Sequence, residues 1–143
     1  SGSPGSSSPP RRPACPAPRP GTATTWTRPW RLGRGWTVGL AHEAALKMKE
    51  ASLSWTESYP AMEYRHGPIS ISTTGTTTWM FGEAPEGLAE QVRATGARWV
   101  NGSLDPLADL VRVQRLALAR AAVRGLDPDL PRHLSRSVVL DGA

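Results

Sequence analysis

Glu43, Lys47 and Glu50 are spaced so that an α-helix would place all three side chains on one face. A carboxylate held beside an ammonium group in a cleft is suited to taking up and returning a proton. The same spacing is also typical of a solvated helix face, where a Glu–Lys pair contributes only about 0.2–0.5 kcal/mol. Spacing alone therefore favours the solvated face and leaves proton transfer as the alternative.

A histidine in a predicted loop is the second candidate for proton transfer. His66 is followed by Gly67 and Pro68, so its side chain is free to project from the loop. Histidine changes its charge near neutral pH, which suits it to general acid–base chemistry. A loop histidine bonded to nearby backbone is the more common situation, and both interpretations stay open for His66.

The segment Ser72–Thr77 is rich in hydroxyl groups, and its sequence matches the residue pattern of a phosphate-binding loop. Such a loop presents the phosphate to the N-terminus of a following helix. A strand is predicted after this segment instead. We therefore interpret Ser72–Thr77 as a polar turn between strands.

Strands and helices are predicted to alternate along the chain. The predicted strands are 55–59, 77–81 and 97–101, and the predicted helices are 37–53, one between Pro85 and Gly96, and one from Pro106, capped by Asp105, to Gly125. Residues 61–68 are predicted to form a loop. The alternation implies an α/β fold of three layers, αβα, in which helices cover both faces of a parallel sheet.

The first thirty residues differ in composition from the rest. They hold eight prolines, five serines and few aliphatic residues, so they cannot bury enough apolar surface to offset the entropy of ordering them. We predict a disordered Pro/Ser/Arg-rich tail at 1–30, with docking to a peptide-binding domain as an alternative role. The folded domain is predicted at 31–143. Its first strand is expected to be damaged or missing, and the domain truncated there, because Arg28, Pro29 and Arg31 stand where an apolar strand belongs.

Charge and cysteine content exclude several classes of protein. Residues 1–30 hold four of the 17 basic side chains and no acid, which leaves 13 basic against 12 acidic side chains in the domain. Neither nucleic acid nor a membrane is therefore an expected partner. The single cysteine, Cys15, excludes an intrachain disulfide and a cysteine-based metal site. We expect a cytoplasmic protein without a metal or cofactor.

Several motifs occur in an order that resembles a known family. They are Gly33–Gly35 (GRG), His42–Glu50 (HEAALKMKE), Glu57–Pro68 (ESYPAMEYRHGP) and Asp127–Val138 (DPDLPRHLSRSV). Together they resemble the second SIS (sugar isomerase) domain of glucosamine-6-phosphate synthase and its relatives, over about three quarters of the chain. The family's flavodoxin-like fold, a parallel sheet between helix layers, agrees with the predicted alternation.

The resemblance implies a site for a phosphorylated sugar or amino sugar. In the family, an aldose phosphate and a ketose phosphate interconvert by ring opening and movement of a proton between C1 and C2. Glu50 matches the carboxylate that moves this proton, Glu43 and Lys47 match its active-site neighbours, and His66 matches the histidine that assists ring opening. Because that histidine acts in the partner subunit's site, the resemblance implies a homodimer with a shared site.

The resemblance also implies substrate contacts from Arg34, Gly35 and Arg136. Arg136 stands where the synthase has a lysine that takes part in ring opening. An arginine stays protonated and forms no Schiff base, but it can bind a phosphate or a sugar hydroxyl. The family's phosphate loop lies in a first SIS domain, and neither that domain nor a glutamine-hydrolysing domain is recognised in this sequence.

Two functions follow from these observations and stay open. The first is an isomerase or amino-sugar synthase type of domain that needs a first SIS domain for activity. The second is a non-catalytic phosphosugar-binding module, such as a sensor.

Overall fold

The computed structural model describes residues 28–132, which form a sheet of four parallel strands with helices on both faces. The strands are β1 (Arg28–Gly33), β2 (Glu57–Pro60), β3 (Thr76–Met80) and β4 (Arg98–Asn101), in the order β2-β1-β3-β4. The helices are α1 (Thr37–Ser52), α2 (Ala61–His66), α3 (Leu88–Ala94) and α4 (Pro106–Val123), with a 3-10 helix at Pro68–Ile71. The predicted α/β class with a parallel sheet is confirmed.

Two predictions fall partly or wholly outside the described residues. The predicted tail at 1–30 is described only in its last three residues, which belong to β1. Residues 133–143, including Arg136, also lie outside the described part of the chain.

β1 is a central strand, so the prediction of a damaged or missing first strand is wrong. It pairs in parallel with both β2 and β3. Pro29 lies near the start of the strand, where its missing N–H costs at most one ladder hydrogen bond, and its carbonyl accepts a hydrogen bond of 2.7 Å from Thr56 Oγ1. Trp30 and Leu32 are fully buried on one face. The domain therefore begins at Arg28 or earlier rather than at residue 31.

Each face of the sheet carries its own hydrophobic cluster. The first cluster joins the sheet to α2 and α3 and contains Trp30, Leu32, Ala61, Tyr64, Met80, Leu88, Val92 and Ala97. The second joins the sheet to α1 and α4 and contains Ala41, Ala44, Met48, Trp79, Phe81, Val113 and Ala117. Neighbouring strand residues such as Trp79 and Met80 point to opposite faces, as the pleat requires. The three-layer αβα arrangement is confirmed.

A charged network lies inside the second cluster. The Trp79 indole N–H donates to Asp109 Oδ2 at 2.7 Å, and Arg112 donates to Asp109 Oδ1 at 2.9 Å. The guanidinium groups of Arg31 and Arg112 lie 5.4 and 5.2 Å from the Trp79 ring. Arg31 is only 1% exposed, and burial, aided by Arg120 and opposed by Asp109, lowers its pKa to about 9. Stacking on Trp79 is what makes an arginine acceptable in this strand.

The segment predicted as a loop at 61–68 is helical, so that prediction is wrong. Pro60, with φ of −54°, directs the chain into α2. Ala61 and Tyr64 are three residues apart and are both buried, which places them on one helix face. The Tyr64 hydroxyl lies 2.6 Å from Ser72 Oγ and 3.1 Å from Thr78 Oγ1. The tertiary contacts of Tyr64 therefore favour a helix here, although Gly67 and Pro68 had predicted a loop.

The remaining elements agree more closely with expectation. The other predicted strands and α1 agree with the structure within two residues. In α4, Asp105 Oδ1 accepts a hydrogen bond of 2.9 Å from the Leu107 N–H, which confirms the predicted cap. The helix expected from Pro85 begins only at Leu88, because Gly87 adopts a left-handed φ of 75°.

The junction between β1 and α1 is the tightest point of the fold. A Cβ atom on Gly33 would overlap the backbone of Thr37 and Val38. The Thr37 hydroxyl lies 2.9 Å from the Phe81 carbonyl and 3.0 Å from the Arg34 carbonyl, which share its single proton, and it accepts from the Arg34 N–H at 2.9 Å. This side chain therefore ties the end of β1, the start of α1 and the residue after β3 together.

We expect Gly33→Ala to lower the free energy of unfolding by at least about 1–3 kcal/mol, because the added methyl group overpacks the junction. Gly39→Ala is the matched control, since it lies inside α1 with no atom within 4 Å of the added Cβ. We expect the control to raise the free energy of unfolding by about 0.5–1 kcal/mol. Urea denaturation of the full chain measures both, and an unchanged Gly33→Ala protein would contradict the tight junction.

Candidate functional site

α1 carries an acid–base cluster on its outward face. Its inward face buries small residues and Met48 against the sheet and α4, which fixes the helix and turns Glu43, Lys47 and Glu50 outward together. Lys47 Nζ lies 2.9 Å from Glu50 Oε2 and 3.7 Å from Glu43 Oε1. The structure therefore brings these three predicted residues into contact.

The three side chains of the cluster are partly exposed to solvent. The side chains of Glu43, Lys47 and Glu50 are 38%, 41% and 33% exposed. The hydrogen bond to Glu50 raises the pKa of Lys47, and the Glu43 charge adds to the effect. An ammonium group held protonated in this way is no nucleophile at neutral pH. Lys47 can instead stabilise negative charge that develops beside Glu50.

Arg34 and Gly35 lie at a different place, the carboxyl edge of the sheet. They line a shallow cavity of about 410 Å³ with Trp36, Thr37 and Glu83, among others. β1 connects through α1 to β2, which lies on one side of β1 in the sheet, whereas β3 lies on its other side. The cavity therefore lies where the strand order reverses. Crevices at such a switch point are the usual ligand sites of open parallel sheets.

The two places are well separated along α1. Thr37 begins the helix and Glu50 lies in its last turn, a separation of about 20 Å along the helix axis. A small ligand held by Arg34 and Gly35 would not reach Glu50. The structure thus does not bring these predicted residues together.

His66 lies on the opposite layer from the acid–base cluster. It is the exposed last residue of α2, and α2 packs on the face of the sheet opposite α1. His66 lines a groove of about 600 Å³ between α2 and α3, which we call the α2–α3 groove. Within one chain, His66 and Glu50 therefore belong to separate surfaces.

The hydroxyl-rich segment forms the turn before β3. The Thr76 hydroxyl donates to the Thr73 carbonyl at 2.7 Å and accepts from the Thr73 N–H at 3.1 Å. Gly75 has a left-handed φ of 91°, and Ser72 is buried against Tyr64. The interpretation as a polar turn is confirmed, and the hydroxyl groups of Ser72 and Thr76 are already used inside the protein.

Sequence reasoning missed several polar residues near these surfaces. His42 Nδ1 lies 2.7 Å from Ser58 Oγ and joins α1 to β2. Arg65 and Gln91 line the α2–α3 groove beside His66. Arg65 was adjacent to a candidate histidine in the sequence, which was a usable signal. No sequence signal indicated Gln91, because it reaches the groove only through the packing of α3 against α2.

Residues 28–132 contain neither a metal-binding cluster nor a membrane-spanning helix. No group of three or more His, Cys, Asp or Glu side chains is arranged to hold a metal ion. None of the helices is both long enough and apolar enough to cross a membrane.

The sequence is similar to part of a larger group of enzymes. It is 30% identical to the glutamine–fructose-6-phosphate aminotransferase (isomerizing) of Bordetella pertussis and 34% identical to that of Thermosynechococcus vestitus. The match covers 77% of this chain in both cases, but only 23% and 22% of the relatives. The chain therefore spans less than a quarter of the length of these curated relatives. No protein-family model matches the sequence.

Solved structures with a similar fold point the same way. Glucosamine-6-phosphate deaminase from Thermotoga maritima aligns with a TM-score of 0.73 and 29% identity, over 82% of this chain and 42% of that one. The C-terminal domain of glucosamine-fructose-6-phosphate aminotransferase from Francisella tularensis aligns with a TM-score of 0.61 and 25% identity, over 71% and 37%. Both comparisons agree with the resemblance that the sequence motifs indicated.

We expect Lys47→Met to change the free energy of unfolding by less than about 1 kcal/mol, because partly exposed ion pairs contribute little. Arg93→Met, which removes the exposed Glu90–Arg93 pair on α3, is the control and should behave alike. Thermal or urea denaturation at low and high salt measures both. A decrease in the free energy of unfolding above about 2 kcal/mol for Lys47→Met alone would mean that the ion pairs of the cluster stabilise the fold.

Proposed function

We propose that this chain, which belongs to the sugar isomerase (SIS) domain family, binds a phosphorylated sugar or amino sugar. The proposed chemistry is that of an aldose/ketose phosphate isomerase or an amino-sugar phosphate synthase. The names of the relatives and of the structural neighbours support the substrate class.

The observation that carries the proposal is the contact of Lys47 with Glu43 and Glu50. In the proposed reaction, Glu50 removes a proton from one carbon of the open-chain sugar and returns it to the neighbouring carbon. Lys47 remains protonated and stabilises the negative charge that develops on the enediol-like intermediate. Glu43 holds Lys47 from the opposite side.

The proposed site requires contributions from more than one α/β half. Glu50 and His66 lie on opposite layers of one chain, so we propose that His66 acts in the site of a partner subunit in a homodimer. We further propose that a first SIS domain completes the site. The small share of each relative that this chain spans supports this requirement.

A non-catalytic, sensor-like role is the second candidate. It is favoured by the wide separation of Arg34 and Gly35 from Glu50. A chain that binds a sugar phosphate at one place and keeps its acid–base groups at another recognises the ligand without converting it. Arg136, in place of a lysine, points in the same direction.

With a first SIS domain supplied to complete the proposed site, we expect Glu50→Gln to lower the interconversion of glucosamine 6-phosphate or fructose 6-phosphate by about 10²–10⁴-fold, because the general base is lost. Binding of either sugar, measured by calorimetry on the full chain, should change only a few-fold. Glu90→Gln on α3 is the control and should retain both properties, since Glu90 is exposed and remote from α1. Saturable binding without turnover by the unmodified chain, even with a first SIS domain supplied, would favour the sensor instead.

Mixing two inactive variants tests the shared site. In a homodimer with cross-subunit sites, a mixture of Glu50→Gln and His66→Ala chains contains mixed dimers with one intact site. We expect about a quarter of the unmodified activity to return after subunit exchange. Two copies of the same variant are the control and should stay inactive. No recovery, with dimers shown by light scattering, would contradict the sharing of His66.

A further inference from the structure

α4 exposes a row of large apolar side chains. Leu107, Val111 and Leu118 are 57%, 51% and 53% exposed. Their spacing of four and seven residues places them on one face of the helix. We call these three residues the α4 stripe. Apolar groups that are collected on one exposed face, rather than scattered singly, are typical of a surface that another protein covers.

The α4 stripe and the acid–base cluster belong to the same outer surface. α1 and α4 pack side by side on one face of the sheet, and the inner faces of both helices are buried there. α1 therefore turns Lys47 and its two glutamates outward, and α4 turns its stripe outward in the same layer. A domain that lies over this layer covers the cluster and the stripe together.

We propose that the α4 stripe docks the first SIS domain that completes the site. This inference rests on the proposed function and locates the partner domain, whose position that function leaves open. Because the proposed reaction takes place at Glu50, the first SIS domain must lie against the layer formed by α1 and α4. The solved structures are large enough to hold such a domain, since this chain covers only 42% of the Thermotoga protein and 37% of the Francisella domain.

Charge argues against a second copy of this chain as the occupant of the stripe. Arg115 is exposed between Val111 and Leu118 in the sequence, and the only acid of α4, Asp109, is buried. Packing α4 against the same helix of a second copy would bring like charges together with no exposed carboxylate between them. The expected partner is therefore a surface with an apolar centre and acidic side chains at its rim.

The stripe is presented by a helix that is fixed from below. Val113 and Ala117 are fully buried in the second hydrophobic cluster. The Trp79 indole N–H donates to Asp109 Oδ2 at 2.7 Å, which ties α4 to the sheet. A surface that is already ordered loses little conformational entropy when a partner binds.

The test measures association of the full chain with a separately supplied first SIS domain by calorimetry. The probe is the part of the Francisella tularensis C-terminal domain that this chain does not match. Leu118→Glu places a charge within the stripe. Ile71→Glu is the matched control, because Ile71 is 55% exposed and belongs to the 3-10 helix, which packs on the opposite face of the sheet through Ile69. A thermal melt of each variant checks that it is folded.

We expect Leu118→Glu to weaken the association about tenfold or more, because a carboxylate is then buried against apolar groups, whereas Ile71→Glu should leave the dissociation constant within about twofold. Val111→Glu serves the same purpose if Leu118→Glu unfolds. Arg115→Glu should weaken the association more at low salt than at high salt, since it reverses the charge that faces the acidic rim.

The outcomes separate this inference from the proposed function. Association that depends on Leu118, in a complex that converts no fructose 6-phosphate, would uphold the stripe and count against the isomerase. Conversion by a complex whose affinity is unchanged in both Leu118→Glu and Val111→Glu would overturn the stripe and leave the isomerase standing. Failure of the unmodified chain to bind the probe would overturn the stripe as a docking surface.

Light scattering of the chain alone checks the other occupant. Self-association of the unmodified chain that Leu118→Glu abolishes and Ile71→Glu retains would make a second copy the partner of the stripe, and would overturn the inference. We expect the α4 stripe variants to leave the oligomeric state of the chain alone unchanged.

Discussion

The contact between Gly33 and the first turn of α1 is the constraint on which the rest of the structure depends. Because position 33 carries no side chain, the helix begins directly against the end of β1, and Thr37 can bond to the backbone on both sides of the junction. The bond to the Phe81 carbonyl adds to the ladder between β1 and β3 beside the crevice where the strand order reverses. Any residue larger than glycine would displace α1, and with it Glu43, Lys47 and Glu50.

The candidate proton-transfer groups of one chain lie on two separate surfaces. The acid–base cluster lies outside α1, His66 lies outside α2, and a sheet of buried residues separates them. The ion pairs of Lys47 are too exposed to stabilise the fold appreciably. Their geometry is the one that the proposed reaction requires, with an ammonium group held beside the carboxylate of Glu50.

The sequence predicted well wherever local chemistry decides the structure. Asp105 and Pro106 define the start of α4 because a cap and a first-turn proline act through neighbouring atoms only. It failed at β1, where Arg31 is accommodated by stacking on Trp79, a residue nearly fifty positions away. For the site, spacing gave the helical cluster correctly, but the partition between two layers depends on which face each helix covers, and no local signal carries that information.

The position of α4 limits how this fold can grow. α4 lies on the same face as α1, and parallel crossovers are right-handed in about 98% of cases. A strand added outside β4 by a crossover through α4 would have the opposite hand to the β1-α1-β2 unit. A parallel strand added outside β4 by a right-handed crossover would therefore need its connecting helix on the face of α3, with both inserted at the connection Gly102–Asp105 ahead of α4.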